Sequence, residues 1–315
     1  VVLSVAAIVG VPLLIIVIEL PSYNRMLREL QNSGHAIIFG LFALGWLNLM
    51  SAWAGRWIPR RSRQYLSALA AATAVGLVLE LAQVIGARDA SVSDWLLDIV
   101  GALAFLGLVA PFDQRLMSEL KWRIPLKSVS IVYGLLLLAG AFVPPTAWFL
   151  TYYFRDQALP TLASFESAWE RRLIVTERAS VEFVAPPARF SPVDGKKVAR
   201  LRLFPALYPG LEIWEPSPDW SGYKRLRFSV LSEYESDLRL AVRIQDLAHN
   251  QLYEDRFNRA FDLHPGMNEL EIDLADVKSA PAGREMDMSR ITSLIIFTGR
   301  PQDTLTIYLD NIRLE

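Results

Sequence analysis

Apolar and polar residues are arranged in two different ways along this 315-residue chain. In the first 150 residues they gather into long runs: Val1–Leu20, His35–Trp53, Tyr65–Ile85, Ser93–Ala110 and Ser128–Leu150. With a helical rise of about 1.5 Å per residue, each run is long enough, or nearly so, to cross roughly 30 Å of hydrocarbon. Beyond them the pattern switches to alternation. Leu226, Phe228 and Val230 point one way, as do Leu238, Leu240, Val242 and Ile244, with Arg239, Arg243 and Gln245 between them. Leu270, Ile272 and Leu274 form a third set, and Leu305, Ile307 and Leu309 a fourth. A period of two marks strands with one buried face.

Turn signals separate the alternating sets: Pro192–Gly195, Pro209-Gly210, Pro216–Gly222, Pro265-Gly266 and Pro281–Gly283. Only Met288–Thr292 is left as a short helical turn. The pattern predicts a multidomain membrane protein, a five-helix transmembrane bundle followed by an antiparallel β-sandwich of jelly-roll form. The expected domains are residues 1–150, a juxtamembrane linker over 151–164, and a β domain over 165–315.

Composition adds little beyond exclusions. Mean hydropathy is positive despite the polar second half. A net charge of −1 with no concentrated basic tract speaks against nucleic acid. The absence of cysteine only weakly favours any compartment. Charge in the connections is more informative. Ala54–Gln64 holds Arg56, Arg60, Arg61 and Arg63, and Pro111–Lys127 holds Arg115, Lys121, Arg123 and Lys127, whereas Pro21–Gly34 and Gly86–Ala90 carry only Arg25, Arg28 and Arg88. The positive-inside rule places the two basic connections in the cytoplasm. Five spans then put the amino terminus inside and the β domain outside, periplasmic if the membrane is a bacterial inner one. Val1–Leu20 has no small-residue cleavage signature before Pro21 and is expected to stay as a helix.

Ionisable residues inside spans are costly and mark interfaces or sites. His35, Glu80, Gln83, Arg88, Asp94 and Asp98 all fall at the outer level of this topology. Glu80 and Gln83 are three apart and share a helical face; Asp94 and Asp98 are four apart, and Gly101 continues their stripe. Three uses stand open. The acids and His35 suit proton transfer or charge stabilisation on a phosphate or glycosidic oxygen. They also suit a divalent metal, or a salt-bridged lock between helices. Catalytic candidates are His35, Glu80, Asp94 and Asp98, with Gln83 and Arg88 as ligand-binding partners.

The stretch Glu80-Leu-Ala-Gln83, then Arg88, Ser91, Asp94, Asp98 and Gly101, with His35 before it, resembles the VanZ-like membrane family over about residues 1–125. The resemblance implies a cell-envelope role without supplying a reaction. Two positions depart from the family pattern: Asp98 stands where Asn is expected, and Phe105 where a second small residue is expected. In the soluble half, Phe165-Glu166, Trp220–Phe228, Arg243–Asp246, Asp255-Arg256-Phe257, Pro265–Leu274 and Tyr308–Ile312 resemble carbohydrate-binding jelly rolls of the galactose-binding-like type. That resemblance implies a structural calcium ion at Glu166 and Asp310, the alternative being turn and edge capping. Sugar binding needs aromatic faces and orienting polar groups. Trp214, Trp220, Tyr223, Tyr234 and Tyr253 offer the faces, and the loop bearing His249, Asn250, Tyr253, Asp255 and Arg256 offers both.

The expected function is therefore an envelope protein that recognises a glycan or glycolipid through its outer β domain, with membrane lipid at the polar cluster. The alternatives are an integral-membrane enzyme acting on a phosphorylated or lipid-linked envelope substrate, and a scaffold whose β domain binds another envelope protein. A transporter fits poorly, because the polar residues sit at one end instead of through the midplane.

Overall fold

A computed structural model of the chain describes residues 10, 24–55, 57–85, 91–121, 124–190 and 195–315. The expected span Val1–Leu20, Arg88 and most of the Pro192–Gly195 turn lie outside the described residues. The chain divides into two compact units, Val1–Phe149 and Leu150–Glu315.

In the first unit, helices α1 (Arg25–Trp53), α2 (Arg61–Ile85) and α3 (Val92–Val109) are followed by a 3-10 turn, Ala110–Phe112, and the short α4 (Gln114–Leu120). Then come α5 (Ile124–Ala141) and α6 (Val143–Gln157), which crosses into the second unit. Among the described residues three helices are long and apolar enough to cross a membrane: Arg25–Trp53, Arg61–Gln83 and Val92–Phe112. The run Ser128–Leu150, expected as one straight span, is instead broken. Leu126–Ala141 and Val143–Gln157 meet at 47°, and count as a fourth span only if the bent pair is taken as one. Pro144 and Pro145 explain the break. Neither has an N–H for the helical ladder, and their rings exclude the carbonyls four residues earlier, at Gly140 and Ala141. Among the described residues, three of the expected spans are thus continuous helices and the last expected span is a bent pair.

Small residues set the packing of α1, α2, α3 and α5. A Cβ on Gly101 of α3 would overlap the Ala36 carbonyl oxygen of α1, so the two backbones touch. Four residues later, Phe105 occupies the space that Gly40 leaves empty. Phe105 therefore does not force the two helices apart, and they stay close here as well. Trp46 Nε1 donates to Ser67 Oγ at 2.9 Å, joining α1 to α2, and Ser130 Oγ donates to the Gly107 carbonyl at 2.7 Å, joining α5 to α3. At one end of this unit Arg61 Nε bonds Asp113 Oδ2 at 2.6 Å, and the Arg61 N–H donates to Glu119 Oε2 at 2.6 Å. The two basic connections therefore lie at the same end.

The second unit is an antiparallel β-sandwich that resembles a jelly roll. Strands are β1 (Thr161–Ala163), β2 (Ile174–Glu177), β3 (Ala179–Val184), β4 (Val198–Leu203), β5 (Gly210–Trp214), β6 (Arg225–Ser232), β7 (Leu238–Asp246), β8 (Phe257–Leu263), β9 (Gly266–Asp273), β10 (Ile291–Phe297) and β11 (Leu305–Leu314). One sheet runs β3-β4-β11-β6-β9, with β1 also on β11; the other runs β2-β5-β10-β7-β8. β1 lies in the segment expected as a linker, so the sandwich begins before Phe165. The core takes Leu226, Phe228, Val230, Leu240, Val242, Ile244, Ile272, Ile307 and Leu309 from the alternating sets, joined by Leu294 and Ile296 of β10, all with almost no exposed surface.

Leu274 is a correction. It was expected as strand, but Asp273 ends β9 and its side chain accepts from the Ala275 N–H, starting a short helix, α7 (Leu274–Ser279). An N-cap aspartate overrides the alternation at its last member.

Candidate functional site

Two groups of candidates exist, one in each unit. In the helical unit, His35 Nδ1 and Asp98 Oδ1 lie 2.9 Å apart, both residues buried, and join α1 to α3. Glu80 near the end of α2 is also buried, and its Oε2 accepts from the Ser91 N–H at 2.8 Å. Ser91 is itself the N-cap of α3, accepting from Asp94 N. Glu80 and Asp94 both lie within electrostatic reach of the His35 imidazole. The structure thus gathers four of the six polar candidates of this unit. Gln83 is half-buried on the same helix as Glu80, and Arg88 lies outside the described residues.

In the β unit the site follows from register. Outward residues of the sheet β2-β5-β10-β7-β8 fall into rows across neighbouring strands. Val175, Glu212, Ile295, Arg243 and Asn258 form one row; Glu177, Gly210, Phe297, Ala241 and Ala260 form the next. The second row is small everywhere but at its edge acid and at Phe297. Gly210 has no room for a Cβ, which would come within 2.6 Å of Phe297 Cβ. This run of small side chains leaves a hollow in the sheet face. The resulting cleft, about 550 Å³, is lined by residues of both rows and by Tyr208, Tyr253, Arg256 and Arg259. Tyr208 stands edge-on to Phe297, with ring centroids 5.8 Å apart at 89°. Tyr253 is two-thirds exposed, and the Arg256 guanidinium lies over its ring at 5.1 Å. A smaller hollow of about 440 Å³ continues past Tyr253, Arg256, Asn258 and Arg259 towards α7.

The polar groups of the cleft differ in how they are satisfied. Glu212 Oε1 accepts from Ser293 Oγ at 2.6 Å, and Arg259 is paired with Asp276 at 2.6 Å. The side-chain N and O of Asn258 are both shielded from solvent with no hydrogen-bond partner, as is Arg256 Nε. Buried polar atoms cost free energy until they are bonded. A ligand hydroxyl would meet that need once the side chains covering these atoms move aside.

Of the loop candidates, Tyr253 and Arg256 line the cleft, while His249, Asn250 and Asp255 hold the loop together behind it. His249 Nδ1 donates to the Asp255 carbonyl at 2.8 Å, and its Nε2 accepts from Arg243 at 3.2 Å. The acceptor carbonyl and the donor guanidinium fix that tautomer. Asn250 N–H donates to Asp255 Oδ2 at 2.8 Å. Asp255 and Arg256, adjacent in the chain, do not pair with one another; Asp255 pairs with Arg284 instead. Arg284 donates from Nε to Asp255 at 2.5 Å and from both terminal nitrogens to Asp246, at 2.6 and 2.8 Å. These bonds, chiefly from Arg284 and then from the Asn250 N–H, hold the Asp255 carboxyl below its ordinary range.

Other candidates are placed as follows. Trp220 is fully buried with its Nε1 on the Ser217 carbonyl, and the Tyr234 hydroxyl ties Thr304 to Thr306. Both act in packing. Glu166 Oε1 accepts from the Lys196 and Lys197 N–H groups, closing a turn, and Asp310 is buried in β11. Among the described residues no three His, Cys, Asp or Glu side chains gather as a metal site. Tyr208, Glu212, Asn258 and Phe297 were missed by sequence reasoning. Phe297 follows the core residue Ile296 at the end of β10, so alternation marks it as outward, but adjacency across strands is not written in any one segment.

No family model matches the chain, and no curated protein matches it. Among solved structures, an exo-β-agarase is similar at 18% identity and a TM-score of 0.40, over 49% of this chain and 25% of the agarase. A family 11 carbohydrate-binding module from Clostridium thermocellum, solved with a β-1,3-1,4-mixed-linked tetrasaccharide, is similar at 15% identity and a TM-score of 0.39, over 49% of this chain and 93% of the module. A family 28 module specific for non-crystalline cellulose is similar at 12% identity and a TM-score of 0.34, over 50% of this chain and 94% of that one.

Proposed function

We propose that the protein is a membrane-anchored envelope protein that recognises a glycan or glycolipid in the cleft of its β domain. One observation carries this: an open, aromatic-lined hollow on a sheet face holds a buried side-chain amide, Asn258, whose donor and acceptor are both unused. Sugars offer an apolar ring face for Tyr253 or Tyr208 and hydroxyls that both donate and accept, which is what such an amide needs. The flanking loop is pre-set by Arg284, so less ordering is left for binding to bear.

The helical unit is proposed as the anchor; with the basic connections inside, the β domain is outward when the bent pair completes a span, and the amino terminus is cytoplasmic when Val1–Leu20 is a span as well. Its resemblance to VanZ-like proteins belongs to the same proposal, and is supported by the meeting of His35, Glu80, Asp94 and Asp98. We read that cluster as an interhelical lock before a catalytic centre, because the His35–Asp98 bond joins α1 to α3 and the Glu80–Ser91 bond ties the end of α2 to the start of α3.

The test is titration of the full-length protein in detergent micelles with a panel of envelope polysaccharides and glycolipids. Saturable binding is expected, weakened about tenfold or more by Tyr253→Ala and by Asn258→Ala, which corresponds to roughly 1.4 kcal/mol or more. Arg225→Gln, on the opposite sheet, should leave it unchanged. A folded protein that binds no member of the panel, or binds equally well without Tyr253 and Asn258, would end this proposal.

A further inference from the structure

The three arginines of the cleft are not equivalent. Arg259 is neutralised by Asp276 at 2.6 Å. Arg243 donates only to uncharged acceptors: Gln245 Oε1, reached from Nε at 3.0 Å, and His249 Nε2 at 3.2 Å. Arg256 rests on the Tyr253 ring with its Nε buried and unbonded. Neither Arg243 nor Arg256 meets a carboxylate in an ion pair among the described residues. The two guanidiniums nevertheless lie close enough to repel. Burial first, and then the like charge of Arg256, press the Arg243 guanidinium below its ordinary value, with Glu212 offsetting only part of the effect. Two half-buried cations side by side, without an anion between them, are an arrangement that costs free energy until an anion arrives.

Position sharpens this. In the register of β7 and β8, Arg243 is opposite Asn258, so both unused amide atoms adjoin the cationic pair. Glu212 is on the same row but two strands away through Ile295, about 10 Å at the usual strand spacing. Glu177 lies further out, on the edge strand β2. The cleft is therefore sided: acids at β2 and β5, unpaired guanidiniums at β7 and the loop before β8. A neutral glycan has no use for this asymmetry. An acidic one does, because a carboxylate or sulfate accepts charge-assisted bonds from guanidinium forks while its hydroxyls reach the amide and the distant acids.

We propose that the cleft selects an anionic glycan, whose carboxylate or sulfate seats between Arg243 and Arg256 beside Asn258. This rests on the glycan reading of the same cleft and names its substrate class. The continuation of the hollow past Tyr253 towards α7 leaves room for the chain to run on beyond the charged position.

The experiment uses the full-length protein in detergent and calorimetric titration with matched probes. These are oligogalacturonate, oligomannuronate, the same two oligomers with their carboxyls reduced to alcohols, and a sulfated galactan. At least one uronate should bind tenfold or more tightly than its reduced counterpart. Arg243→Gln and Arg256→Gln should each erase most of that preference, the uronate losing several-fold more affinity than its reduced counterpart. Arg225→Gln should change neither. Binding of the sulfated galactan with the same dependence on both arginines would identify sulfate as the source of the charge and supports the proposal equally. Equal affinity for acidic and reduced forms overturns the anionic inference and leaves the glycan reading standing. A preference that survives both arginine substitutions overturns the assignment of the seat. Failure of every probe, charged or neutral, to bind a protein with an intact melting transition overturns both.

Discussion

Replacing Arg284 by Gln is expected to destabilise the β domain by about 3 kcal/mol, the lower end for stripping the partner from a buried charge. The lower end applies because Arg284 keeps 28% of its side chain exposed, whereas Asp246 keeps none. For a unit of this size, that loss lowers the melting midpoint by roughly 6–12 °C. Calorimetry of the full-length protein, with hydrogen exchange on peptides covering β7 and β8, would show it. Loosening should be concentrated around Asp246 and the loop from His249 to Arg256. Glycan affinity should fall as well, although Arg284 touches no part of the cleft, because Tyr253 and Arg256 are positioned by that loop. A variant as stable as the parent would remove Arg284 from this role.

The same clamp sets a pH dependence. Asp255 has its carboxyl held below the ordinary value in the folded state, by Arg284 first and the Asn250 N–H second. A group depressed in this way contributes stability that is fully present above its unfolded value, about 3.9, and is lost as pH falls through the folded one. The parent protein should therefore lose β-domain stability on acidification below about pH 4. Arg284→Gln should show a shallower acid slope, having little of that contribution left to lose.

The second large effect is expected at Gly101. Alanine there would drive a methyl into the Ala36 carbonyl, and a helix backbone cannot swing aside as a side-chain tip can. Overpacking of this kind costs about 1–3 kcal/mol. Here it should reach the upper end, because α1 and α3 must separate as whole helices. The damage should extend to the His35–Asp98 bond, since His35 adjoins Ala36 and Asp98 lies three residues from Gly101. Gly107→Ala is the matched control. Its nearest neighbour across the interface, the Ser130 carbonyl oxygen, is at an ordinary 3.6 Å, and little change is expected. Thermal melting in micelles of the two variants would separate them. Equal stability would mean that α1 and α3 have slack at this crossing.

Much of the β domain was legible in its sequence because one side of each strand is buried. Leu240, Val242 and Ile244 declare the core face of β7, and so declare Arg243 and Gln245 as outward. What no strand can declare is its neighbour. That Glu212, Ile295, Arg243 and Asn258 stand in one row depends on pairings between segments far apart in the chain, and the cleft is a property of the row. Arg284 was invisible for the same reason, being 38 residues from Asp246 and 29 from Asp255. In the helical half, hydropathy showed where spans lie but blurred Pro144 and Pro145, because an apolar average is indifferent to a missing N–H. The gathering of His35, Glu80, Asp94 and Asp98 was readable from topology. Their individual partners were not, since Glu80 bonds a main-chain N–H that any residue could supply.

The exchange at Gly40 and Phe105 has a consequence for descent. A ring on α3 fits only where α1 has no side chain, so the two positions carry one unit of inheritance instead of two. A lineage that first enlarges position 40 collides with the ring, and one that first shrinks position 105 opens a void beside Gly40. Substitutions here should therefore travel as correlated pairs, small opposite large in either order.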